Sequence, residues 1–342
     1  MNTSRTVTVF GAYGHTGRFV VAELLDRGLT PLLVGRDAGR LAAFAARHPG
    51  CEARPASADD PAALDRALSG AAAVINCAGP FAMTAAPVLE AALRAGIPYV
   101  DVTGEVEAAA DTFAAFADRA AAARCPVVPA MAFFGGLGDL LVTAAAGDWA
   151  AADEVCLAYA LSDWRPTSGT RASSRVSRQR RDGRRPVHTD GGLRYRTGEA
   201  PTGRWSFPPP VGEQTVLMEC TTADSITVPR HLKVPAIHSC MTVDAIREVL
   251  DPEAPLPRAV DDRGRSAQTF LVEAVVRAGG RERRAVARGQ DIYAVSAPLA
   301  VEAVQRMLDG RSRVAGIAAP GEMFDAAGFL GSLSGHLSVE LP

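Results

Sequence analysis

The sequence of 342 residues has almost no lysine: of its 36 basic residues, only Lys233 is a lysine and the others are arginines. A short-chain dehydrogenase needs a Tyr-x-x-x-Lys pair, in which the lysine lowers the pKa of the catalytic tyrosine. No tyrosine stands four residues before Lys233, so this chemistry is excluded. A G-x-S-x-G nucleophile elbow is also missing, which leaves an esterase without support.

The chain also lacks the cysteine and histidine patterns of metal sites and disulfide frameworks. Its six cysteines lie far apart without a C-x-x-C pair, and its six histidines are scattered. In a chain of this length, such cysteines are typical of buried thiols in a reducing compartment. The sequence therefore predicts no metal centre and a cytoplasmic location.

Strong net charge and long apolar runs are missing as well. The net charge is −2 and the pI is about 6.3, so nothing draws the whole chain toward nucleic acid or an anionic membrane. The most apolar stretch, residues 71–95, is interrupted by Asn76, Pro80 and Pro87, well short of the ~20 apolar residues of a membrane helix. The start, MNTSRTVTVFGA, shows no signal-peptide pattern. We expect a soluble protein that binds neither nucleic acid nor membrane.

The first positive signal is a glycine-rich turn between a strand and a helix. Residues 6–10, TVTVF, are β-branched and apolar like a buried parallel strand, and GAYGHTG and RFVVAELLDRG follow. Gly11, Gly14 and Gly17 form a G-x-x-G-x-x-G variant of the dinucleotide fingerprint, which brings the N–H groups of a helix N-terminus to a pyrophosphate. The hydroxyl of Thr16 can add a donor. A turn that binds nothing is the alternative, but the order strand, turn, helix favours dinucleotide binding.

The second strand, TPLLVG, ends at Arg36 rather than at an acid. NAD-selective folds place Asp or Glu there to bond the ribose 2′-hydroxyl, whereas NADP-selective folds place a cation. A guanidinium can pair bidentately with the 2′-phosphate, and Arg40, one turn further on, can join it. Asp37 comes one residue late, and we expect it to point away. The pattern predicts NADP(H), with a solvated surface arginine as the alternative.

Two further strands, AAAVINCAG at 71–79 and IPYVDVTGE at 97–105, bring polar tips to the same edge. The carboxyl ends of parallel strands meet beside the cofactor in a doubly wound sheet. Asp59 either contacts the adenine or helps to cap the helix PAALDRAL. A helix at 106–123 and a strand at 125–131 complete five or six strands that alternate with helices. The predicted ribose or nicotinamide neighbours are Asn76, Cys77, Ala78, Gly79 and Pro80.

Together these segments resemble a known family. GAYGHTGR, VGR, VINCAGPF, AGIPYVDVTGE, FFGGLGDLL, ITVPRHL and DIYAVSAPLAVEAVQRMLDG are similar to the saccharopine dehydrogenase-like (saccharopine reductase) superfamily, which includes bacterial proteins described as trans-acting enoyl reductases. The resemblance covers nearly the whole chain, and VINCAGPF followed by YVDVTGE is specific. It implies an NAD(P)-binding Rossmann domain, a second domain for substrate and homodimer contacts, and a C-terminal segment that returns to the first domain. The residues that it places along the cofactor cleft are Gly11, Tyr13, Gly14, His15, Thr16, Gly17, Arg36, Cys77, Gly79, Pro80, Thr103 and Gly104.

The expected fold class is therefore α/β with two domains. Residues 1–131 are predicted to form a Rossmann domain with a doubly wound parallel sheet. Alternating segments such as EVCLAYALS at 154–162 predict a second α+β domain, with a mostly antiparallel sheet, over residues 132–290. Residues 291–342 are predicted to form helices that return to the Rossmann domain.

The second domain contains an arginine-rich segment, residues 165–204, with only three acids. It either attracts a carboxylate substrate, a coenzyme A phosphate or an acidic carrier protein, or it is a solvated helix and loop. The aromatic residues do not interleave with the basic positions as a nucleic-acid platform would require. The arginines are Arg165, Arg171, Arg175, Arg178, Arg180, Arg181, Arg184, Arg185, Arg194, Arg196 and Arg204.

Hydride transfer needs an aligned nicotinamide and one acid. Glu105 and Asp101, at the tip of YVDVTGE, are the first candidates, although capping and cofactor binding explain them equally well. The other titratable candidates are His188, Tyr195, His231 and His238. The sequence predicts an NADPH-dependent reductase that acts on a C=C or C=N bond of a small molecule, either free or carrier-linked, in specialised biosynthesis. A C=O reductase and a catalytically silent NADP-binding sensor are the alternatives.

Overall fold

The first layer of the computed structural model, which describes residues 6–342, is a six-stranded parallel sheet. Residues 1–5, the start of the predicted first domain, lie outside the described residues. The strand order β3-β2-β1-β4-β5-β6 reverses direction between β1 and β4, which is where doubly wound sheets bind dinucleotides. The strands are β1 (Thr6–Phe10), β2 (Thr30–Gly35), β3 (Ala53–Pro55), β4 (Ala73–Asn76), β5 (Tyr99–Asp101) and β6 (Val127–Val128).

Five helices connect these strands. The sheet is apolar on both faces, as a parallel sheet covered by helices requires, and every residue of β4 is buried. The carboxylates of Asp37 and Asp60 accept N–H bonds from the first turns of α2 and α3, which fixes where those helices begin. The helices are α1 (His15–Asp26), α2 (Ala38–Ala45), α3 (Pro61–Leu68), α4 (Phe81–Ala95) and α5 (Val106–Ala123).

The second layer is a nine-stranded mixed sheet in which only β12 and β7 pair in parallel. Its main path runs β10-β11-β12-β7-β13-β14-β15, while β8 pairs with β12 and β9. The prediction of a Rossmann sheet with a second, mostly antiparallel sheet is therefore confirmed. The strands are β7 (Glu154–Leu161), β8 (Arg185–Thr189), β9 (Gly192–Arg196), β10 (Thr202–Ser206), β11 (Glu213–Leu217), β12 (Ile237–Thr242), β13 (Thr269–Ala278), β14 (Arg281–Gln290) and β15 (Leu337–Glu340).

Seven further α-helices and a short 3₁₀ helix at Val228–Arg230 follow in the described chain. An irregular turn at Phe133–Leu137 leads from the first sheet into α6, and α6 packs on β13 and β14. None of the helices within residues 6–342 is long and apolar enough to cross a membrane. The helices are α6 (Gly138–Ala146), α7 (Ser168–Arg181), α8 (Asp224–Thr227), α9 (Val243–Leu250), α10 (Ser296–Leu308), α11 (Pro320–Met323) and α12 (Ala326–Ser332).

The C-terminal segment joins both sheets. Helix α10 packs on α1, β4 and β5, and Glu302 on α10 pairs with Arg27 at 2.5 Å and with Arg306 at 2.6 Å. Helix α12 packs on α6 instead, and β15 extends the second sheet beside β14. One apolar core runs through both layers, from Val7 to Leu337. The boundaries 1–131, 132–290 and 291–342 stay a prediction.

Candidate functional site

The glycine turn between β1 and α1 leaves a helix N-terminus free of side-chain caps. Gly14 is the N-cap residue, no side chain of the described residues caps the first turn of α1, and that turn contains no acid. A Cβ on Gly17 would lie 2.2 Å from the carbonyl oxygen of Gly11, so the close packing of turn and helix requires glycine there. The N–H groups at the start of α1, which have no side-chain partner within residues 6–342, and the positive end of the helix form a cradle that suits a pyrophosphate.

His15 is the first residue of α1, and its imidazole is enclosed by aromatic rings. The ring centroids of Phe19 and Tyr293 lie 5.5 Å and 5.1 Å away, and the buried Nε2 atom has no hydrogen-bond partner among residues 6–342. Burial, followed by the nearby Arg18 guanidinium, lowers the pKa of His15 to about 4. At neutral pH His15 therefore offers an uncharged imidazole to the cleft.

The tip of β2 carries the predicted phosphate-binding arginines. Arg36 and Arg40 are both exposed, and neither forms an ion pair within the described part of the chain. The carboxylate of Asp37 accepts the backbone N–H of Arg40 at 2.9 Å, so it caps α2. Asp59 is exposed, and its neighbour Asp60 caps α3 by accepting the N–H of Ala63. That Arg36, Arg40 and Asp59 contact the cofactor stays a prediction.

The tips of β4 and β5 meet beside this turn. Asn76 is fully buried, and its side-chain oxygen accepts the N–H of Ala78 at 3.0 Å, which turns the chain away from the sheet. Burial raises the pKa of the Cys77 thiol far above its usual value, so Cys77 stays protonated. Gly79 and Gly104 are exposed along this edge, whereas Thr103 is buried. The structure thus brings the predicted strand-tip residues together at the edge where β1, β4 and β5 end.

Asp101 is fully buried and bonded at both carboxylate oxygens. One oxygen accepts the N–H groups of Thr103 at 3.1 Å and Ala130 at 2.9 Å, and the other accepts the hydroxyl of Tyr99 at 2.9 Å. Burial raises the pKa of Asp101 to about 6, against the effect of these hydrogen bonds. The group ties the end of β5 to the segment after β6, and it reaches no open space.

Glu105 is also buried and engaged. Its two carboxylate oxygens accept the N–H groups of Phe81 at 2.7 Å and Ala82 at 3.0 Å, which are free donors at the start of α4. The hydroxyl of Ser173, on α7 of the second layer, donates to the same carboxylate at 2.5 Å. Glu105 therefore links the β5–α5 turn, the start of α4 and the arginine-rich helix.

The other predicted proton donors lie away from the strand tips. Tyr195 is exposed on β9, with Arg184 stacked 5.3 Å from its ring centroid. His188 is buried on β8, burial lowers its pKa, and its Nε2 atom lacks a described partner. His231 lies 2.6 Å from the buried carboxylate of Asp139, and the half-exposed His238 lies 3.2 Å from Glu154.

No group of three or more His, Cys, Asp and Glu side chains within residues 6–342 is arranged to bind a metal ion. The histidines above each contact at most one carboxylate.

A row of aromatic side chains along the cleft was missed by sequence reasoning. Phe134 lies against Gly104 at the β5 tip, and its ring centroid is 5.4 Å from that of Trp164. The indole N–H of Trp164 donates to the hydroxyl of Tyr293 at 3.1 Å, and Tyr293 in turn touches His15. The row thus runs from the glycine turn to the β5 tip. The segment DIYAV was a family signal, but its meeting with residue 15 is a long-range contact that local patterns do not encode.

Helix α7 covers the same edge from the second layer. The hydroxyl of Thr170 lies 2.9 Å from that of Tyr293, and a Cβ on Gly79 would lie 2.9 Å from the hydroxyl of Ser173. Arg181 pairs with the buried Glu107 of α5 at 2.5 Å, which holds the far end of the helix. The helix therefore crosses from the glycine turn, past the β4 tip, to the start of α5.

Most of the predicted arginine cluster is used in protein contacts. Arg171 bonds backbone carbonyls at 251–254, and Arg180 pairs with Asp111 at 2.6 Å. Glu219 accepts both Arg185 and Arg196, and Arg204 pairs with Glu213. Within the described residues, the arginines of this segment whose side chains form no ion pair or hydrogen bond are Arg165, Arg175, Arg178 and Arg194.

The first third of the chain matches known proteins. Residues 7–128 match the family model of the saccharopine dehydrogenase NADP binding domain. Over 142 residues the chain is 33% identical to a probable mitochondrial saccharopine dehydrogenase-like oxidoreductase of Arabidopsis thaliana, a match that covers 37% of this chain and 31% of the plant protein. Over 117 residues it is 29% identical to a saccharopine dehydrogenase-like oxidoreductase of Bos taurus, covering 29% of this chain and 27% of the bovine protein. The match thus spans less than a third of either relative.

The fold has a counterpart over the whole chain. Apo saccharopine dehydrogenase (L-Glu forming) from Saccharomyces cerevisiae aligns with a TM-score of 0.66 at 12% identity, covering 98% of this chain and 99% of the yeast chain. At that identity the likeness shows the fold alone. The family model and the curated relatives agree that residues 7–128 are similar to the NADP-binding domain of saccharopine dehydrogenase-like proteins.

Proposed function

We propose that this protein is an NADPH-dependent reductase that acts on a C=C or C=N bond of a small-molecule or carrier-bound intermediate. The single observation that supports this most is the cleft at the switch between β1 and β4, with an uncapped helix N-terminus at one end and an aromatic row at the other. NADPH, when bound, supplies the hydride. A C=O bond of the same kind of substrate is the third option for the acceptor.

In this proposal the first layer holds the cofactor. The N–H groups at the start of α1 bind the pyrophosphate, and Arg36 and Arg40 receive the 2′-phosphate at the tip of β2. Cys77, Ala78, Gly79 and Pro80 line the ribose side of the β4 tip. The neutral His15 adds no charge there, so the phosphate charge is balanced by the helix terminus and the two arginines.

The second layer holds the substrate against the strand tips. Trp164 and Phe134 present half-buried rings beside Gly104, and α7 covers the edge. Rings at this position exclude water and support a planar, unsaturated group, because flat apolar surfaces stack well on indole and phenyl faces. This wall favours a conjugated substrate over a compact, highly charged one.

Neither of the two carboxylates at the β5 tip supplies the proton in this proposal. Both carboxylates predicted as donors, Asp101 and Glu105, already accept hydrogen bonds at each oxygen, which supports a positioning role for them. The same observation favours the second candidate function, an NADP-binding sensor that has a cofactor cleft and no acid aimed into it.

A substrate panel separates the two functions. Purified protein with NADPH is mixed with an α,β-unsaturated thioester, a cyclic imine and a ketone, and cofactor oxidation is followed together with product mass. We expect NADPH to be consumed with one of these three substrates. Trp164→Ala should slow this consumption, whereas Trp205→Ala should not. Binding of NADPH without turnover of any of the three would favour the sensor.

Four narrower proposals accompany this function. The family resemblance supports a homodimer and a role in specialised biosynthesis. Arg175 and Arg178 on α7, whose side chains have no ion pair among residues 6–342, support contact with a carboxylate- or carrier-linked substrate. The pattern of cysteines supports a cytoplasmic location, although the plant relative is named mitochondrial. Gel filtration, and pull-down with an acidic carrier protein, test the dimer and the carrier contact.

A further inference from the structure

Tyr13, in the middle of the glycine turn, supports the tip of the neighbouring strand β2. Its hydroxyl oxygen accepts the backbone N–H of Asp37 at 3.1 Å. Its ring packs against Gly35 so closely that a Cβ there would lie 2.4 Å from the ring atom Cε1. Any residue other than glycine at position 35 would push the ring away. The turn that carries Arg36 is therefore held in place by a side chain from the β1–α1 turn.

The same ring carries a guanidinium. The Arg40 Cζ atom lies 4.7 Å from the centroid of the Tyr13 ring, which is the distance of a cation–π contact. A guanidinium that lies against a ring keeps its N–H edge free for a bidentate acceptor. Neither Arg40 nor Arg36 is neutralised by a carboxylate within residues 6–342, because Asp37 turns its carboxylate to the start of α2.

This arrangement prepares two cations for one anion. Ordering a free arginine side chain on binding costs conformational entropy, and a ring that already restrains the guanidinium reduces this cost. A 2′-phosphate carries two negative charges and can accept from both side chains, whereas a 2′-hydroxyl gains little from them. The benefit of Tyr13 should therefore fall on phosphorylated ribose alone.

We propose that Tyr13 is a positioning residue that determines the preference for NADP(H) over NAD(H), by fixing Arg40 and the Arg36–Asp37 turn for the 2′-phosphate. The proposal rests on the proposed function in that the cofactor is NADP(H). It adds a residue whose contribution is to selectivity and not to binding of the pyrophosphate or the nicotinamide.

The test uses two nucleotides that differ only in the 2′-phosphate. Binding of adenosine 2′,5′-bisphosphate and of adenosine 5′-monophosphate to the full-length protein is measured by calorimetry. Tyr13→Leu, which removes the platform, is expected to weaken the bisphosphate about tenfold and the monophosphate by less than about twofold. Tyr13→Phe keeps the ring and loses the Asp37 bond, so a loss of about threefold in the bisphosphate is expected. Arg47→Ala is the matched control, since Arg47 stacks on Phe44 at 5.4 Å just beyond the other end of α2.

A double-variant cycle separates positioning from general structure. In the Arg40→Ala background the stacked cation is gone, so Tyr13→Leu should lower the affinity for the bisphosphate by no more than about threefold. This remaining loss comes from the bond between Tyr13 and the Arg36–Asp37 turn. Equal losses for both nucleotides, full additivity with Arg40→Ala, or no effect of Tyr13→Leu would each overturn the role of Tyr13. Failure of the proposed function has a different signature, namely a wild-type protein that binds neither NADPH nor NADH.

Discussion

The sequence predicted that the carboxyl group of Glu105 lies beside the nicotinamide as a proton donor. In the structure this group is engaged in hydrogen bonds within the protein. Its position at the β5 tip follows from the sequence, but its three hydrogen bonds come from α4 and α7, which are distant in the chain. A carboxylate that accepts N–H bonds at a helix start stabilises that end of the helix. Its bonding therefore favours structure over proton transfer.

Glu105→Gln is predicted to destabilise the protein. The amide keeps one acceptor and turns an N–H donor toward a backbone N–H, so the free energy of unfolding should fall by about 1–3 kcal/mol. Thermal unfolding of Glu105→Gln is compared with that of Glu90→Gln, which only breaks an exposed pair with Arg119. An unchanged melting temperature together with lost turnover would instead make Glu105 the proton donor.

The Asp139–His231 pair predicts a pH dependence of stability. Burial lowers the pKa of His231, but the attraction of Asp139 outweighs it, and the net pKa lies above the usual 6.5. When folding raises the pKa of a histidine, that residue contributes fully to the free energy of unfolding at pH values below its pKa in the unfolded state. The contribution is lost as pH rises through its pKa in the folded state. The stability difference between wild type and His231→Gln should therefore shrink as pH rises above the usual histidine pKa of 6.5. His238→Gln, at a half-exposed site, is the control, and a difference that grows with pH would contradict the account.

At the scale of elements, helix α5 (Val106–Ala123) was predicted with the observed bounds, because an alanine-rich stretch follows a strand tip and ends at an arginine before the next strand. Strand β4 was predicted at 71–79 and is shorter, Ala73–Asn76, because Asn76 bonds Ala78 and turns the chain away. The glycine turn and the strand tips are local patterns, so the sequence predicted them. The aromatic row and the cover by α7 depend on contacts between residues more than 100 positions apart, which spacing does not reveal.

The aromatic row predicts energy transfer from Trp164 to bound NADPH. Trp164 lies in the row beside the β5 tip, whereas Trp149 packs under arginines of β14 and Trp205 bonds Glu273 in the second sheet. When tryptophan is excited, the emission intensity of bound NADPH should fall most in Trp164→Phe and less in Trp149→Phe and Trp205→Phe. Affinity is measured in parallel so that occupancy is equal. Equal losses in all three variants would remove Trp164 from the nicotinamide end.

At the scale of the whole molecule, the stability of the first sheet depends on helix α10 of the C-terminal segment. Helix α10 covers one face of the parallel sheet and is tied to α1 through Arg27 and Glu302. A fragment of residues 1–131 would expose that apolar face to water. We expect this fragment to lack a cooperative unfolding transition, and a version with residues 291–310 joined by a flexible linker to regain one. Equal cooperative melting of both would show that α10 is dispensable.

The central claim is that the cleft binds NADPH through a cation at the tip of β2. A nucleotide titration tests this claim most directly. The purified protein is titrated with NADPH and with NADH, and nicotinamide fluorescence is followed for wild type and Arg36→Ala. We expect tight NADPH binding that Arg36→Ala weakens by about tenfold or more, because a charge-assisted contact is lost, and little change in the binding of NADH. Equal affinity of the wild-type protein for both nucleotides, or no effect of Arg36→Ala, would contradict it.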